Sequence, residues 1–450
     1  MRAHNVLIVG GGSTWTPGLL KSICARKNSF PINRLVMLDI NEERQKIIGE
    51  YAKVLFQEEY PELDFHYTTN KEEAFREDLD FVFVQMRTGG YTMREKDEKI
   101  PLQLGVIGQE TCGPGGFAYG MRSIRDMVQL VEDVRAKTKD AWILNYTNPA
   151  AIVADAIGRI FPEDKRILNI CDQPENLLRS YGRILDKDPR EFDPVYFGLN
   201  HFGWFTNLYD ENGNDLLPEL REKILSGGFR PVDYEQRDQS WLDTYSMVEQ
   251  IVQDFPDYLP NTYLQYYLYP DKVKQKLDPD FTRANEVMAG REKRVFEECE
   301  RVAEMGTSQE SKVVHNDAHG EFILVVAESI AYNKGSHFIV ILKNEGLVEN
   351  LPEDAMVEVT ASLTANGPRP YSVGKIPTFY KGLIEGQFAY EKLTVEAYLE
   401  GSYDKALQAL TLNRTVVSAS KARDVLDALI EANRGYWPEL RSERPAPALV

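Results

Sequence analysis

Leu168-Asn169-Ile170-Cys171-Asp172-Gln173-Pro174 and Gly198-Leu199-Asn200-His201-Phe202-Gly203-Trp204 bound the stretch whose reading decides the fold. Arg166-Ile167-Leu168-Asn169-Ile170 has the short, mostly apolar run of a buried strand and leads into a Pro-marked turn. Cys171 and Asp172 then stand at the strand's carboxyl end, where open α/β sheets place their ligands. Val195-Tyr196-Phe197-Gly198-Leu199 reads as a second strand with Asn200-His201 at its tip. A thiolate and an imidazole delivered from two strand ends make half of a soft-to-borderline divalent metal site. Taken singly, each residue also suits a protein core, Cys171 as a small buried hydrophobe and His201 as a satisfied histidine. Asp172 beside Cys171, with Asn200 beside His201, moves the reading toward a site.

Upstream, Asn5-Val6-Leu7-Ile8-Val9 is a buried strand that ends in Gly10-Gly11-Gly12-Ser13-Thr14. Pro17 suits the first turn of a following helix. Glycines let a backbone approach a pyrophosphate, whose charge then faces the helix's free N–H groups. Gly10 and Gly12 fit a G-x-G fingerprint, but Trp15 stands where a third glycine is expected. Asp39, at the end of the strand Arg34-Leu35-Val36-Met37-Leu38, is placed for adenosine ribose hydroxyls and favours NAD over NADP. Its separation from Gly12 exceeds the usual ~20 residues, which a long turn before Arg34 accounts for.

The alternation continues with a helix from Asn41 to Glu59, a strand near Phe65-His66-Tyr67 and the strand Asp80 to Val84. A glycine-rich loop is expected at Gly108 to Gly116, then a helix from about Gly120 to Lys137, and the strand Trp142-Ile143-Leu144-Asn145. Asn148, before Pro149, sits at a strand-to-helix turn on the same rim as Cys171, either capping the helix or facing a ligand. Strands alternating with helices imply an amino-terminal, Rossmann-like, doubly wound parallel sheet. Beyond His201 the pattern turns mostly helical, with strands near His337 to Leu342 and Met356 to Ser362, so the carboxyl-terminal half reads as α+β. The domain change is placed near residue 195, giving 1–195 as the NAD-binding domain and 196–450 as the substrate, metal and oligomerisation domain. The tail Arg444 to Ala448 is expected to fray.

At 43% hydrophobic and 27% charged, the 450 residues have the profile of a soluble globular protein too long for one ordinary core. A net charge of −18 argues against nucleic acid or an anionic membrane as partner. No signal peptide and no span of about 20 apolar residues is apparent. Four scattered cysteines suit a reducing compartment, so the expected location is the cytoplasm.

The glycine turn, Gln109-Glu110-Thr111-Cys112-Gly113-Pro114-Gly115-Gly116, Asn145-Tyr146-Thr147-Asn148-Pro149, Cys171-Asp172, Asn200-His201-Phe202-Gly203-Trp204 and Asn261-Thr262-Tyr263 together resemble glycoside hydrolase family 4. The likeness spans nearly the whole chain, with the motifs in order, and looks most like the 6-phospho-α-glucosidases. Those carry Cys-Asp-Met-Pro, whereas the 6-phospho-β-glucosidases have Asn after the Cys; here the tetrapeptide is Cys171-Asp172-Gln173-Pro174. The resemblance implies an exception to the two-carboxylate glycosidase scheme, working by oxidation, elimination, addition and reduction with NAD and a divalent metal, typically Mn2+. It implies Cys171 and His201 as metal ligands, Asp172 as general acid, Tyr263 as base, and Arg94, Asn148 and Arg283 as substrate contacts. Gly10, Gly11, Gly12, Ser13, Thr14 and Asp39 would hold the NAD. The implied substrate is a phosphorylated disaccharide such as maltose 6′-phosphate, and the assembly a homodimer or homotetramer. The alternatives are a 6-phospho-β-glucosidase or another family 4 glycosidase, an NAD-dependent sugar-phosphate dehydrogenase, or a nucleotide-sensing protein without turnover.

Overall fold

The computed structural model describes residues 1–231, 234–311 and 318–442. β1 (His4–Val9), β2 (Ile32–Leu38), β3 (Asp64–Thr68), β4 (Phe81–Val84), β5 (Trp142–Asn145) and β6 (Ile167–Asn169) pair in parallel, in the order β6-β5-β4-β1-β2-β3. The central strands are covered by helices on both faces, so Val6, Leu7, Ile8 and Phe81 to Val84 are all buried and read as continuous apolar runs rather than alternating ones. The order reverses between β1 and β4, and open sheets of this kind place their ligands beyond the carboxyl ends of the strands at such a point.

The second half of the chain is mostly helical but also extends this sheet. β7 (Asp193–Leu199), β8 (Phe202–Tyr209) and β9 (Leu259–Pro260) form a separate antiparallel sheet. β10 (Ser336–Lys343), β11 (Met356–Thr364) and β12 (Gly367–Pro370) add antiparallel to the large sheet, with β10 beside β6. The large sheet thus has nine strands and draws on residues from both sides of position 195. The hydroxyl of Thr360 on β11 donates to the Pro194 carbonyl on β7 at 2.8 Å and pins the small sheet to the large one.

One local expectation needs correction, and one helix went unread. Helix Gly113–Lys137 begins seven residues earlier than the expected Gly120, inside the glycine-rich segment, with Pro114 in its first turn. Its glycines serve close packing: a Cβ on Gly115 would lie 2.1 Å from the Gln109 carbonyl oxygen. Arg94 sits on a helix, Gly90–Gln103, that the apolar pattern did not announce. The tail around Arg444 lies outside the described residues. Among those described, no helix is long and apolar enough to cross a membrane.

Helix Ala318–Ala331 returns from the second half of the chain to pack on helix Thr16–Ala25, which follows the glycine turn. Their backbones come so close that a Cβ on Gly320 would lie 2.6 Å from Leu19 Cα. Gly320→Ala must therefore force the helices apart and is expected to destabilise the fold by about 1–3 kcal/mol. Urea unfolding measures this; a stability within about 0.5 kcal/mol of the parent would show that the contact yields freely.

Candidate active site

The glycine turn follows β1 and lies beside the tips of β2 and β4. Gly10 has a φ of +89°, and a Cβ there would press against the Gln85 carbonyl at 2.9 Å. The Gly12 amide donates to Asp39 Oδ2 at 2.9 Å, and a Cβ on Gly12 would come within 3.0 Å of the same oxygen. Ser13 and Thr14 complete the turn, with the Ser13 amide donating to the Gly10 carbonyl at 3.1 Å. This backbone can accept a pyrophosphate, and the half-buried Asp39 carboxylate stands where ribose hydroxyls would meet it. Trp15, in place of a third glycine, packs its ring on His319 at 5.1 Å and under the Arg291 guanidinium at 4.4 Å.

Cys171 follows β6, while His201 sits in the two-residue turn between β7 and β8, so two sheets bring them together. Cys171 Sγ and His201 Nε2 are 3.5 Å apart and both residues are buried. Bonds of about 2.3 Å from sulfur and about 2.1 Å from nitrogen, ordinary for these donors, would meet at roughly 105° across that gap. A divalent cation therefore fits the pair. No cluster of three or more His, Cys, Asp or Glu donors surrounds it among the described residues. Burial lowers His201 to about 4, which keeps its imidazole neutral and able to ligate. Burial, with the charges of Glu358 and Asp172, pushes the Cys171 thiol well up, so a metal ion bound there would have to expel its proton.

His201 has a left-handed φ of 61°, unusual for a residue with a Cβ. Its neighbour Asn200 holds the turn in place by donating Nδ2 to Glu358 Oε1 on β11 at 3.0 Å. Glu358 is completely buried, its Oε2 has no hydrogen-bond partner among the described residues, and burial raises its carboxyl to about 7.

The other expected residues fall into two groups. Tyr263 lies flat on His201, ring centroids 3.9 Å apart and planes within 7°. Burial and the Glu110 charge push its hydroxyl well above the ordinary tyrosine value. Asp172 Oδ2 is 3.2 Å from His319 Nδ1. Burial opposes its charge, yet the His319 contact and His201 hold it below the usual carboxylate range. Gln173, the departure from the Met of the signature, donates to the Thr262 hydroxyl and so ties the Cys171-Asp172 segment to the Tyr263 turn. The second group surrounds these. Asn148 makes no cap for helix Ala150–Ile160; its Nδ2 reaches the Tyr146 carbonyl at 3.4 Å and its buried Oδ1 has no partner among the described residues. Arg94 is buried against Glu98 at 2.8 Å and Glu110 at 2.9 Å. Arg283 is half-exposed and pairs with Asp238 at 2.8 Å and Glu286 at 2.6 Å. Against the burial that opposes its charge, Arg94 and Arg87 bring Glu110 down to about 2.

The model of the family 4 glycosyl hydrolases matches residues 5–185, and that of their C-terminal domain matches residues 196–416. The chain belongs to this family. Phospho-α-glucosidase PagL of Clostridium acetobutylicum is 49% identical over 98% of this chain and 100% of its own length. A 6-phospho-α-glucosidase from gut microorganisms, solved in complex with NAD and Mn2+, is 57% identical with a TM-score of 0.96, covering 98% of this chain and 100% of that one. The 6-phospho-β-glucosidase of Thermotoga maritima, solved with manganese, NAD+ and glucose-6-phosphate, is 28% identical with a TM-score of 0.83, over 96% and 99%.

Four residues of this family 4 site escaped the sequence reading. Glu110 lay within a quoted motif without a role. Gln85 stands directly after β4, at a strand end like that of Cys171, and was passed over. Glu358 and His319 are separated from the motifs by long stretches of chain, and only the sheet order and helix return bring them in. Glu358 sat unremarked in the strand Met356 to Ser362, where a charged residue amid apolar neighbours was the available signal.

A carboxyl raised from about 4.5 to about 7 stabilises the fold fully below its unfolded value. That contribution is lost as pH rises through 7. Glu358→Gln keeps an acceptor for Asn200 but cannot ionise. In metal-free protein, the parent is expected to lose stability relative to this variant between pH 4.5 and 7, by up to about 1.4 kcal/mol per pH unit. Parallel unfolding curves across that range would refute a neutral Glu358.

Proposed function

We propose that this chain hydrolyses 6-phospho-α-glucosides such as maltose 6′-phosphate, using NAD and a divalent metal ion, Mn2+ above all. One observation carries the reading: Cys171, His201, Tyr263 and Asp172 meet at the carboxyl rim of a dinucleotide-binding sheet. The greater identity to 6-phospho-α-glucosidases than to the β-specific enzyme, together with Asp172 after Cys171, supports the α-linkage.

When bound, NAD supplies a hydride acceptor and donor for C3 of the sugar, and the metal ion supplies Lewis acidity at the adjoining oxygens. The residues of this chain do the rest. Gly10 to Thr14 and Asp39 orient the nucleotide. Cys171 and His201 hold the metal. With C3 oxidised, the C2 proton becomes acidic and Tyr263 removes it, while Asp172 protonates the departing glycosidic oxygen. Water then adds at C1, and the two residues reverse their roles. Arg94, Asn148 and Arg283 contact the phosphorylated sugar, for which guanidinium forks are suited. Residues 1–195 supply the nucleotide cradle with Cys171 and Asp172, and residues 196–450 supply His201, Tyr263 and the subunit contacts of a homodimer or homotetramer. Four free, buried cysteines support a cytoplasmic enzyme.

The deciding experiment offers α- and β-linked nitrophenyl 6-phosphoglucosides with NAD+ and Mn2+ in D2O. Cleavage of the α-anomer, with deuterium at C2 of the product, is expected. NADH accumulating in step with substrate loss would instead identify a dehydrogenase, and full activity after exhaustive removal of nucleotide would end the redox scheme. Tyr263→Phe deletes only a hydroxyl and should lower kcat by about 10²–10⁴-fold, with substrate still bound.

Metal affinity gives a separate test. Below the raised Cys171 value each binding event releases one proton, whereas His201, near 4, is already neutral. Apparent Mn2+ affinity is therefore expected to rise about tenfold per pH unit between pH 6 and 8 and to lose that slope in Cys171→Ser. Equal slopes in the two proteins would remove Cys171 as a ligand.

A further inference from the structure

Behind Asp172 lies a chain of hydrogen-bonding groups that no step above uses. His319, from helix Ala318–Ala331, places Nδ1 3.2 Å from Asp172 Oδ2 and Nε2 3.3 Å from Gln85 Oε1. Gln85 in turn turns Nε2 to the Thr16 hydroxyl at 2.7 Å and to the Gly10 carbonyl at 3.4 Å. The His319 ring is clamped between neighbours: it stacks on Tyr146 at 4.1 Å and on Trp15 at 5.1 Å, and the Tyr146 hydroxyl donates to the His319 carbonyl at 3.1 Å. Such clamping leaves the imidazole little freedom to reorient.

The polarity of this chain is determined from its far end. A backbone carbonyl can only accept, so Gln85 must present its NH2 to Gly10 and its oxygen to His319. His319 Nε2 must then carry a hydrogen to donate to that oxygen. The remaining contact, Nδ1 with Asp172 Oδ2, is favourable only with one proton between them, riding either on the carboxyl or on the imidazole. We infer that His319 is a positioning residue for Asp172: its clamped ring, tied to Gln85, holds Oδ2 of the carboxyl in one orientation for the departing glycosidic oxygen.

The step balances. As the C1–O bond breaks, its electron pair stays on the leaving oxygen, which takes the proton from the Asp172–His319 pair. The water that later adds at C1 gives its second proton back to the pair. Trp15 thereby acquires a purpose: a glycine at that position would leave one face of the His319 ring uncovered.

The inference rests on the reading of Asp172 as general acid, and its test separates the two. His319→Gln retains an amide near the Nε2 position and loses the Asp172 contact; His319→Asn retains an amide near Nδ1. Holoenzyme with NAD+ and Mn2+ is assayed on nitrophenyl 6-phospho-α-glucoside, whose leaving group needs little protonation, and on maltose 6′-phosphate, whose leaving group needs it fully. His319→Gln is expected to lose at least tenfold more kcat on the disaccharide than on the aryl substrate, matching Asp172→Asn. His319→Asn should recover most of that loss, and the His319→Gln/Asp172→Asn double variant should be no slower than Asp172→Asn alone. Equal losses on both substrates, or additive losses in the double variant, overturn the positioning role. An Asp172→Asn enzyme with no leaving-group dependence overturns the acid assignment itself, and the inference with it. A second readout needs no turnover: 15N NMR of histidine-labelled protein, with His319→Asn to assign the signal, should show a proton on Nε2. A bare Nε2 would refute the polarity argument even if the Gln variant failed to fold.

Discussion

The contact between Asn200 and a buried carboxyl, Glu358, is the joint on which the site depends. His201 occupies a left-handed conformation that costs about 1–2 kcal/mol for a residue with a side chain, so its turn persists only where the surroundings over-determine it. Those surroundings are specific. A Cβ on Gly198 would lie 2.3 Å from Gly203 Cα, so the hairpin closes only because both strands carry glycine there. Leu199 and Phe202, on either side of the turn, are fully buried. Asn200 then anchors the tip to β11, and β11 pairs with β10, which pairs with β6 and thereby leads to Cys171. The 3.5 Å between sulfur and imidazole is thus the sum of strand registers contributed by residues nearly 190 positions apart.

The same distribution explains what the sequence made legible. Strands β1, β2 and β4 to β6 announce themselves because a sheet covered on both faces demands mostly apolar runs, whereas β3 is a partly exposed edge strand. Cys171-Asp172 and Asn200-His201 are visible because each pair follows closely on such a run. The glycine turn and Asp39 follow the same logic. What sequence could not show is pairing across long intervals. The position of β10 beside β6 is a tertiary choice with no local mark, and it is what puts Glu358 under the His201 turn. His319 is similarly remote: it faces Asp172 because Gly320 lets one helix approach another to backbone contact. The start of helix Gly113–Lys137 was misread for a different reason. Three glycines in its first turn mimic a loop, while two of them, Gly115 and Gly116, let carbonyls of residues 109 and 111 come within 2.4 Å of where a Cβ would stand.

A phosphorylated sugar approaching a chain of net charge −18 meets an unfavourable long-range field, so recognition must be local. Three of the arginines near the site are already engaged by carboxylates. Glu110 holds Arg87 and Arg94 at 2.8 and 2.9 Å, and Arg283 bridges Asp238 and Glu286. In the proposed function, a phosphate reaching any of these arginines would compete with its resident carboxylate, and only a ligand offering a bidentate oxyanion would repay the displacement.

Charge balance also links the metal pair to Tyr263. Burial drives three groups toward neutrality at once: His201 loses its proton readily, while Cys171 and Tyr263 hold theirs tightly. A site so dry is hostile to an isolated anion and equally to an isolated dication. In the proposed mechanism, loss of the Cys171 proton on metal binding would reduce a charge of +2 to +1 within the same small volume. That residual charge would match the single negative charge developing when a C2 proton is removed nearby. Tyr263 stacks on His201 at 3.9 Å, so in the proposed mechanism the same burial that raises its hydroxyl would also strengthen the electrostatic help a cation at His201 could give it.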